Sequence, residues 1–175
     1  MSFRNAPLAV VHDVDKSELF TPEIRAAIDA HIAKYPPEWK QSAVMPALSI
    51  VQEANGGWLT TELMDDVAAY LDMPAVSVYE VATFYGMYDL EPQGRHKVCV
   101  CNSISCMLNG SEELIEHVEH KYGVKVGGTT ADGRFTLKEV ECLGACRDAP
   151  VVLLDKVYHE KLTPEALDQL IDGLE

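Results

Sequence analysis

The chain has no cluster of Lys and Arg. Fourteen basic side chains stand against 28 acidic ones in 175 residues, a net charge of −14 that divides into −8 on residues 1–90 and −6 on residues 91–175. Binding to phosphates needs a basic stripe, so the composition argues against nucleic acid and anionic membrane surfaces as direct partners. No apolar run approaches the roughly 18 residues that span a bilayer, which argues against direct membrane insertion. The start, Met1-Ser2-Phe3-Arg4 leading into Asp13, Asp15 and Glu18, lacks both the apolar core of a secretory signal and the Arg-rich, acid-poor texture of a transit peptide. A cytoplasmic setting is therefore expected. No Gly-x-Gly-x-x-Gly, phosphate loop, nucleophile elbow, Cys-x-x-Cys, internal repeat or low-complexity segment occurs, which removes the usual motifs for nucleotide binding, Ser hydrolysis and thiol–disulfide exchange.

What remains is an ordinary globular composition, 47% hydrophobic and 24% charged, in a length that suits two small units. Residues 21–90 read as consecutive short helices. Thr21-Pro22-Glu23 supplies a capping hydroxyl, a fixed φ and a first-turn acid, with Ile24, Ala27, Ile28 and Ile32 as the apolar stripe. A second helix is expected from about Ser42 to Ala54 with Pro46 in or near its first turn, and a third from Thr60 or Thr61 with Leu63, Met64, Val67, Ala68 and Leu71 inward and Asp65 and Asp66 facing water. Residues 74–88 combine a Ser77-x-x-Glu80 capping box with strand-prone residues and are read as a short helix. At Glu91-Pro92-Gln93-Gly94 the texture changes. Strands at 98–101, 135–140 and 151–154, a helix opened by Asn109-Gly110-Ser111 and a last one opened by Thr163-Pro164-Glu165 give the order β, α, β, β, α of a small α/β sheet.

Five cysteines, an odd number in a reducing setting, favour metal or catalysis over disulfides. Cys101-x4-Cys106 and Cys142-x3-Cys146, 35 residues apart, are two pairs of the kind a four-thiolate site needs. The spacing leaves structural zinc open and leans towards a binuclear iron–sulfur cluster, which is wider than one ion. Asn102, Ser103, Ser105, Gly144 and Ala145 are small or uncharged and let backbone N–H groups approach sulfur, while Leu143 can shield the site and Gly144 favours a loop. Cys99 lies two residues from Cys101 on the same strand face, its Cα about 6.6 Å away. Cys101 is the expected ligand because it sits where strand gives way to loop and because a Cys99-x6-Cys106 pair is unusually wide; Cys99 reads as a small buried hydrophobe. His117 and His120 share a helix at i, i+3 but sit among acids on a solvated face, and His12, His31, His96 and His159 show no ligand spacing.

Several motifs together resemble the small [2Fe–2S] subunit of the NADH-dehydrogenase module of respiratory NADH:quinone oxidoreductase. They are Pro46-Ala47-Leu48-x-x-Val51-Gln52, Gly57-Trp58-Leu59, Val81-Ala82-Thr83-Phe84-Tyr85, the two cysteine pairs, Asp132-Gly133-x-Phe135-Thr136-Leu137, Glu141-Cys142-Leu143-Gly144-Ala145-Cys146 and Leu162-Thr163-Pro164-Glu165. The resemblance covers roughly residues 20–175, leaving 1–20 as an extension, 21–90 as a helical domain and 91–175 as a ferredoxin domain. It implies an α+β chain in which an N-terminal helical bundle precedes a thioredoxin-like ferredoxin domain, with a [2Fe–2S] cluster on Cys101, Cys106, Cys142 and Cys146. It further implies an oxidoreductase subunit without a complete active site of its own. The expected partners are the subunit that carries FMN and NADH and other subunits of the peripheral arm, on the cytoplasmic side of the inner membrane. The equivalent subunit of a soluble NAD-linked hydrogenase or formate dehydrogenase shares these motifs, and a zinc-stabilised interaction module is the alternative from another class. A threonine-rich first cysteine loop is common in the family, so Cys101-Asn102-Ser103-Ile104-Ser105-Cys106 departs modestly from it. Thioredoxin-like folds often place a cis proline beside the site, which makes Pro150 the candidate. The helical half is expected to supply docking surface.

Overall fold

Thr21 accepts a hydrogen bond from the Ile24 N–H and starts α1, Pro22–Ile32, in the computed structural model, which describes residues 19–175. The extension of residues 1–20 lies outside the described residues except for Leu19 and Phe20, and His12 lies outside them too. Phe20 is buried and meets the Tyr70 ring edge-on at 5.3 Å. The chain divides between Pro92 and Gln93 into two compact units.

The first unit is helical. After α1 comes a 3-10 segment, Pro37–Ala43, then α2, Val44–Ala54, α3, Thr61–Tyr70, and α4, Ala75–Phe84. Pro46 falls in the first turn of α2, where its missing N–H breaks no helical bond. Thr60 caps α3 through the Leu63 N–H at 3.2 Å. Ile28, Leu48, Leu63, Val67, Leu71 and Val78 are among the buried core residues. Two expectations are corrected here. The Ser77 capping box is not used, because α4 begins two residues earlier behind Pro74 and has no side-chain cap. Asp66 does not face water: it is 3% exposed, because α3 packs against both α2 and α4 and its buried arc is wider than one stripe. Asp65 is half-buried and accepts a hydrogen bond from Tyr79 Oη.

A polar clamp shapes the segment after α4. The Gln52 amide donates to Met87 O at 3.0 Å and accepts from the Asp89 N–H at 2.8 Å, and Tyr88 Oη donates to Met45 O at 2.9 Å. With the backbone tied inward, Phe84, Tyr85, Met87 and Leu90 point out; Phe84 is 79% exposed.

The second unit is a four-stranded sheet in the order β2-β1-β3-β4, with β1 at His96–Cys101, β2 at Phe135–Val140, β3 at Val151–Leu154 and β4 at Val157–Glu160. β1 runs parallel to β2, from His96 opposite Phe135 to Cys101 opposite Val140, and antiparallel to β3, which pairs antiparallel with β4. A four-residue helix α5, Ile104–Met107, precedes α6, Ser111–Tyr122, and α7, Pro164–Asp172, closes the chain. α5 and β4 add to the expected element order; both are short, and β4 is largely exposed, so neither leaves a burial period in the sequence. The α6 N-cap is Gly110 with no side-chain bond; Ser111 instead donates to Asn102 Oδ1 at 2.8 Å.

Val98, Val100, Leu137 and Val152 share one core with Leu114 and Val118 of α6 and Leu167 and Ile171 of α7. Side chains alternate along a strand, so Cys99 and Cys101 take the opposite face of β1. His117 lies between the helices rather than on a solvated face: its Nε2 is 2.9 Å from Asp168 Oδ1 on α7. Burial pushes Asp168 up, but bonds from His117, Lys121 and Tyr122 outweigh it and hold the carboxyl below its ordinary value.

Candidate metal centre

The first cysteine pair is built by the end of a strand and a single helical turn. Cys101 closes β1 and Cys106 sits in α5, each 1% exposed, and both pack with Val151 at the start of β3. The chain between them is anchored at its first residue. Asn102 N–H donates to Val140 O at 3.0 Å, its Nδ2 donates to Glu139 Oε1 at 2.7 Å and its Oδ1 accepts from Ser111. Ser103 Oγ donates to Glu141 at 3.4 Å.

The second pair lies in the connection between β2 and β3. Cys142 and Cys146 are exposed, with their sulfurs 3.3 Å apart. Gly144 between them has φ +82°, a conformation glycine adopts without steric cost, and its N–H hydrogen-bonds the Cys142 sulfur. Cys146 opens a 3-10 turn, Cys146–Asp148, and the Ala149–Pro150 peptide that follows is cis, as expected. β4 and Lys161 just after it hold this segment from outside. Tyr158 Oη donates to Leu143 O at 3.1 Å, Lys161 N–H donates to Asp148 O at 2.9 Å and Lys161 Nζ lies 2.7 Å from Asp148 Oδ1.

These elements bring the two pairs together. Ser105 of the first loop bonds the Cys146 sulfur, and Cys106 hydrogen-bonds Cys101 and feels Cys146. Burial pushes the Cys106 thiol up, reinforced by Cys101, against a bond from the Val151 backbone. The Gly144 N–H lowers the Cys142 thiol, helped by Cys146, and the shared bond with Cys142 raises Cys146. All five cysteines are free of disulfides. Cys99 is buried within β1, opposite Lys138 and Leu153.

The donor set is four thiols in two close pairs, and Leu143 and Ala145 pack against the buried one. Among the described residues no group of three or more His, Cys, Asp or Glu side chains is placed to hold a metal ion. Two pairs with N–H donors aimed at sulfur fit a binuclear cluster, whose terminal ligands come two to each iron. The spacing singles out the cysteines as candidates; it gives no sign of Asn102, Ser105 and Tyr158 as supports, because their partners are brought near by the sheet. Among the described residues no helix is long and apolar enough to cross a membrane.

Residues 28–175 match the family described as thioredoxin-like [2Fe-2S] ferredoxin. The E subunit of NADH-quinone oxidoreductase from Rickettsia felis is 47% identical over 141 residues, covering 81% of this chain and 84% of that protein. Its namesake from Rickettsia bellii is 46% identical over 143 residues, 82% and 86% of the two chains. "NADH dehydrogenase [ubiquinone] flavoprotein 2, mitochondrial" of Dictyostelium discoideum is 41% identical over 155 residues, 89% of this chain and 63% of that one. Among solved structures, an NAD+-reducing [NiFe]-hydrogenase in the H2-reduced state aligns with TM-score 0.60 and 21% identity over 71% of this chain. This chain spans about a fifth of that hydrogenase chain (21%), and the likeness is one of fold.

Proposed function

Because this chain belongs to the thioredoxin-like [2Fe-2S] ferredoxin family, we propose that Cys101, Cys106, Cys142 and Cys146 ligate its [2Fe–2S] cluster and that it exchanges single electrons with a flavin on a partner subunit. The chain is a subunit of NADH:quinone oxidoreductase, and so part of an oxidoreductase complex. The observation that carries the ligand assignment is the convergence of two cysteine pairs, one buried and one exposed, in a chain of this family. Membership also answers the zinc alternative left open by spacing. When bound, such a cluster takes up and releases one electron at a time. The protein holds four thiolates, aims the Gly144 N–H at one sulfur and keeps water from the inner pair.

The partner expected is the subunit that binds FMN and NADH, in the peripheral arm on the cytoplasmic side of the membrane. Two exposed apolar features support a docked partner. In the helical unit the Gln52 and Tyr88 clamp presents Phe84, Tyr85 and Met87 in a fixed arrangement, which lowers the entropy cost of binding. In the sheet unit Ile104 and Leu108, 73% and 76% exposed, flank the buried Cys106 in sequence and give apolar surface beside the site.

Phe84→Asp is expected to weaken capture of the flavin-bearing partner by about thirtyfold, the effect of removing an aromatic anchor worth roughly 2 kcal/mol, with the visible spectrum unchanged. Pull-down with tagged partner measures it; undiminished capture contradicts this docking face. NADH is expected to bleach the chain only when that partner is added. Bleaching by NADH of the chain alone contradicts the division of roles, and co-purification with hydrogenase or formate dehydrogenase subunits instead would favour the soluble alternative.

A further inference from the structure

Tyr158 is the hydroxyl-bearing side chain of β4 that reaches the second cysteine loop, and nothing in the electron-transfer role already described uses it. Its Oη donates to Leu143 O at 3.1 Å. The same peptide unit ends in the Gly144 N–H, which bonds the Cys142 sulfur. The Leu143–Gly144 peptide is trans, and in a trans peptide C=O and N–H point in opposite directions. One rigid plane is therefore held at both ends, by Tyr158 on its oxygen and by Cys142 on its hydrogen. A donor on the carbonyl also polarises the amide and strengthens the bond its N–H makes. The register that sets Tyr158 opposite Leu153 fixes where the hydroxyl arrives.

We propose that Tyr158 is a positioning residue that raises the reduction potential of the centre by orienting and polarising the Leu143–Gly144 peptide against Cys142. This rests on the reading of Cys142 as a ligand. The added electron places negative charge on the sulfurs, and N–H donors stabilise that charge; losing the hydroxyl therefore lowers the potential. Lys161 anchors the other end of the loop through Asp148 and does not touch this peptide.

The test is an EPR-monitored redox titration of the cluster-loaded full chain as wild type, Tyr158→Phe and Lys161→Met. At the wild-type midpoint the reduced-to-oxidised ratio in Tyr158→Phe is expected to fall about three- to tenfold, roughly 30–60 mV at about 59 mV per decade for one electron, with iron and sulfide content unchanged. Lys161→Met keeps the wild-type potential. An unchanged or raised potential in Tyr158→Phe overturns the assignment. So does an equal shift in Lys161→Met, which means general loop anchoring, and so does loss of iron from Tyr158→Phe, which means a structural role. Failure of the ligand reading shows separately, as a Cys142→Ser variant with wild-type spectrum and potential.

Discussion

Serine at Cys106 is expected to abolish the visible absorption of the purified chain and its acid-labile sulfide. The side chain is buried beside Cys101 and Val151, so water does not take the place of the lost sulfur, and a serine oxygen is a harder, shorter ligand for iron. The loss in affinity exceeds the roughly 10–100-fold that a supporting residue costs. Cys101→Ser behaves the same way. Cys142→Ser and Cys146→Ser, at exposed positions, weaken the absorption and shift its maxima. Cys99→Ser leaves the spectrum intact, because Cys99 lies within the strand, opposite Lys138 and Leu153, and Cys101 stands at its end. Absorption spectra and sulfide assays across the five variants make the comparison. Loss with Cys99→Ser, or retention with Cys106→Ser, overturns the assignment.

Gly94→Ala is expected to destabilise the sheet unit by about 1–3 kcal/mol, as overpacking against fixed atoms does. A Cβ at Gly94 would stand 2.7 Å from the carbonyl carbon of Phe135 and 2.8 Å from its Cα. That backbone cannot yield cheaply. Phe135 is the first residue of β2, registered opposite His96, and its fully buried ring meets Tyr122 edge-on at 5.6 Å. The Gly94 N–H also donates to Thr136 Oγ1 at 2.7 Å, a bond lost if the segment moves away. Thermal unfolding of the cluster-loaded protein reads the change as about 4–8 °C per kcal/mol for a unit of this size. An unchanged midpoint would mean the entry into β1 is looser than its contacts imply.

What the sequence makes legible is local. Thr21-Pro22-Glu23, Thr60 and Thr163-Pro164-Glu165 mark helix starts because a cap is made within three residues, and the apolar stripe of α3 is buried as its spacing predicts. Burial that depends on what packs alongside is not legible. Asp66 sits on the flank of that stripe and is covered by neighbouring helices, while β4 carries no alternation because most of it is exposed. The centre divides in the same way. The cysteine pairs stand out by spacing, and the strand end separates Cys101 from Cys99. Asn102 gripping Glu139 across 37 positions and Tyr158 gripping Leu143 across 15 depend on the sheet topology, and no short motif encodes them.

The central claim is that this chain carries a two-iron cluster on four cysteines. Iron, zinc and acid-labile sulfide analysis of anaerobically purified full-length protein tests it most directly. About two irons and two sulfides per chain are expected, with an absorption that bleaches on addition of dithionite; about one zinc per chain and no sulfide would contradict it.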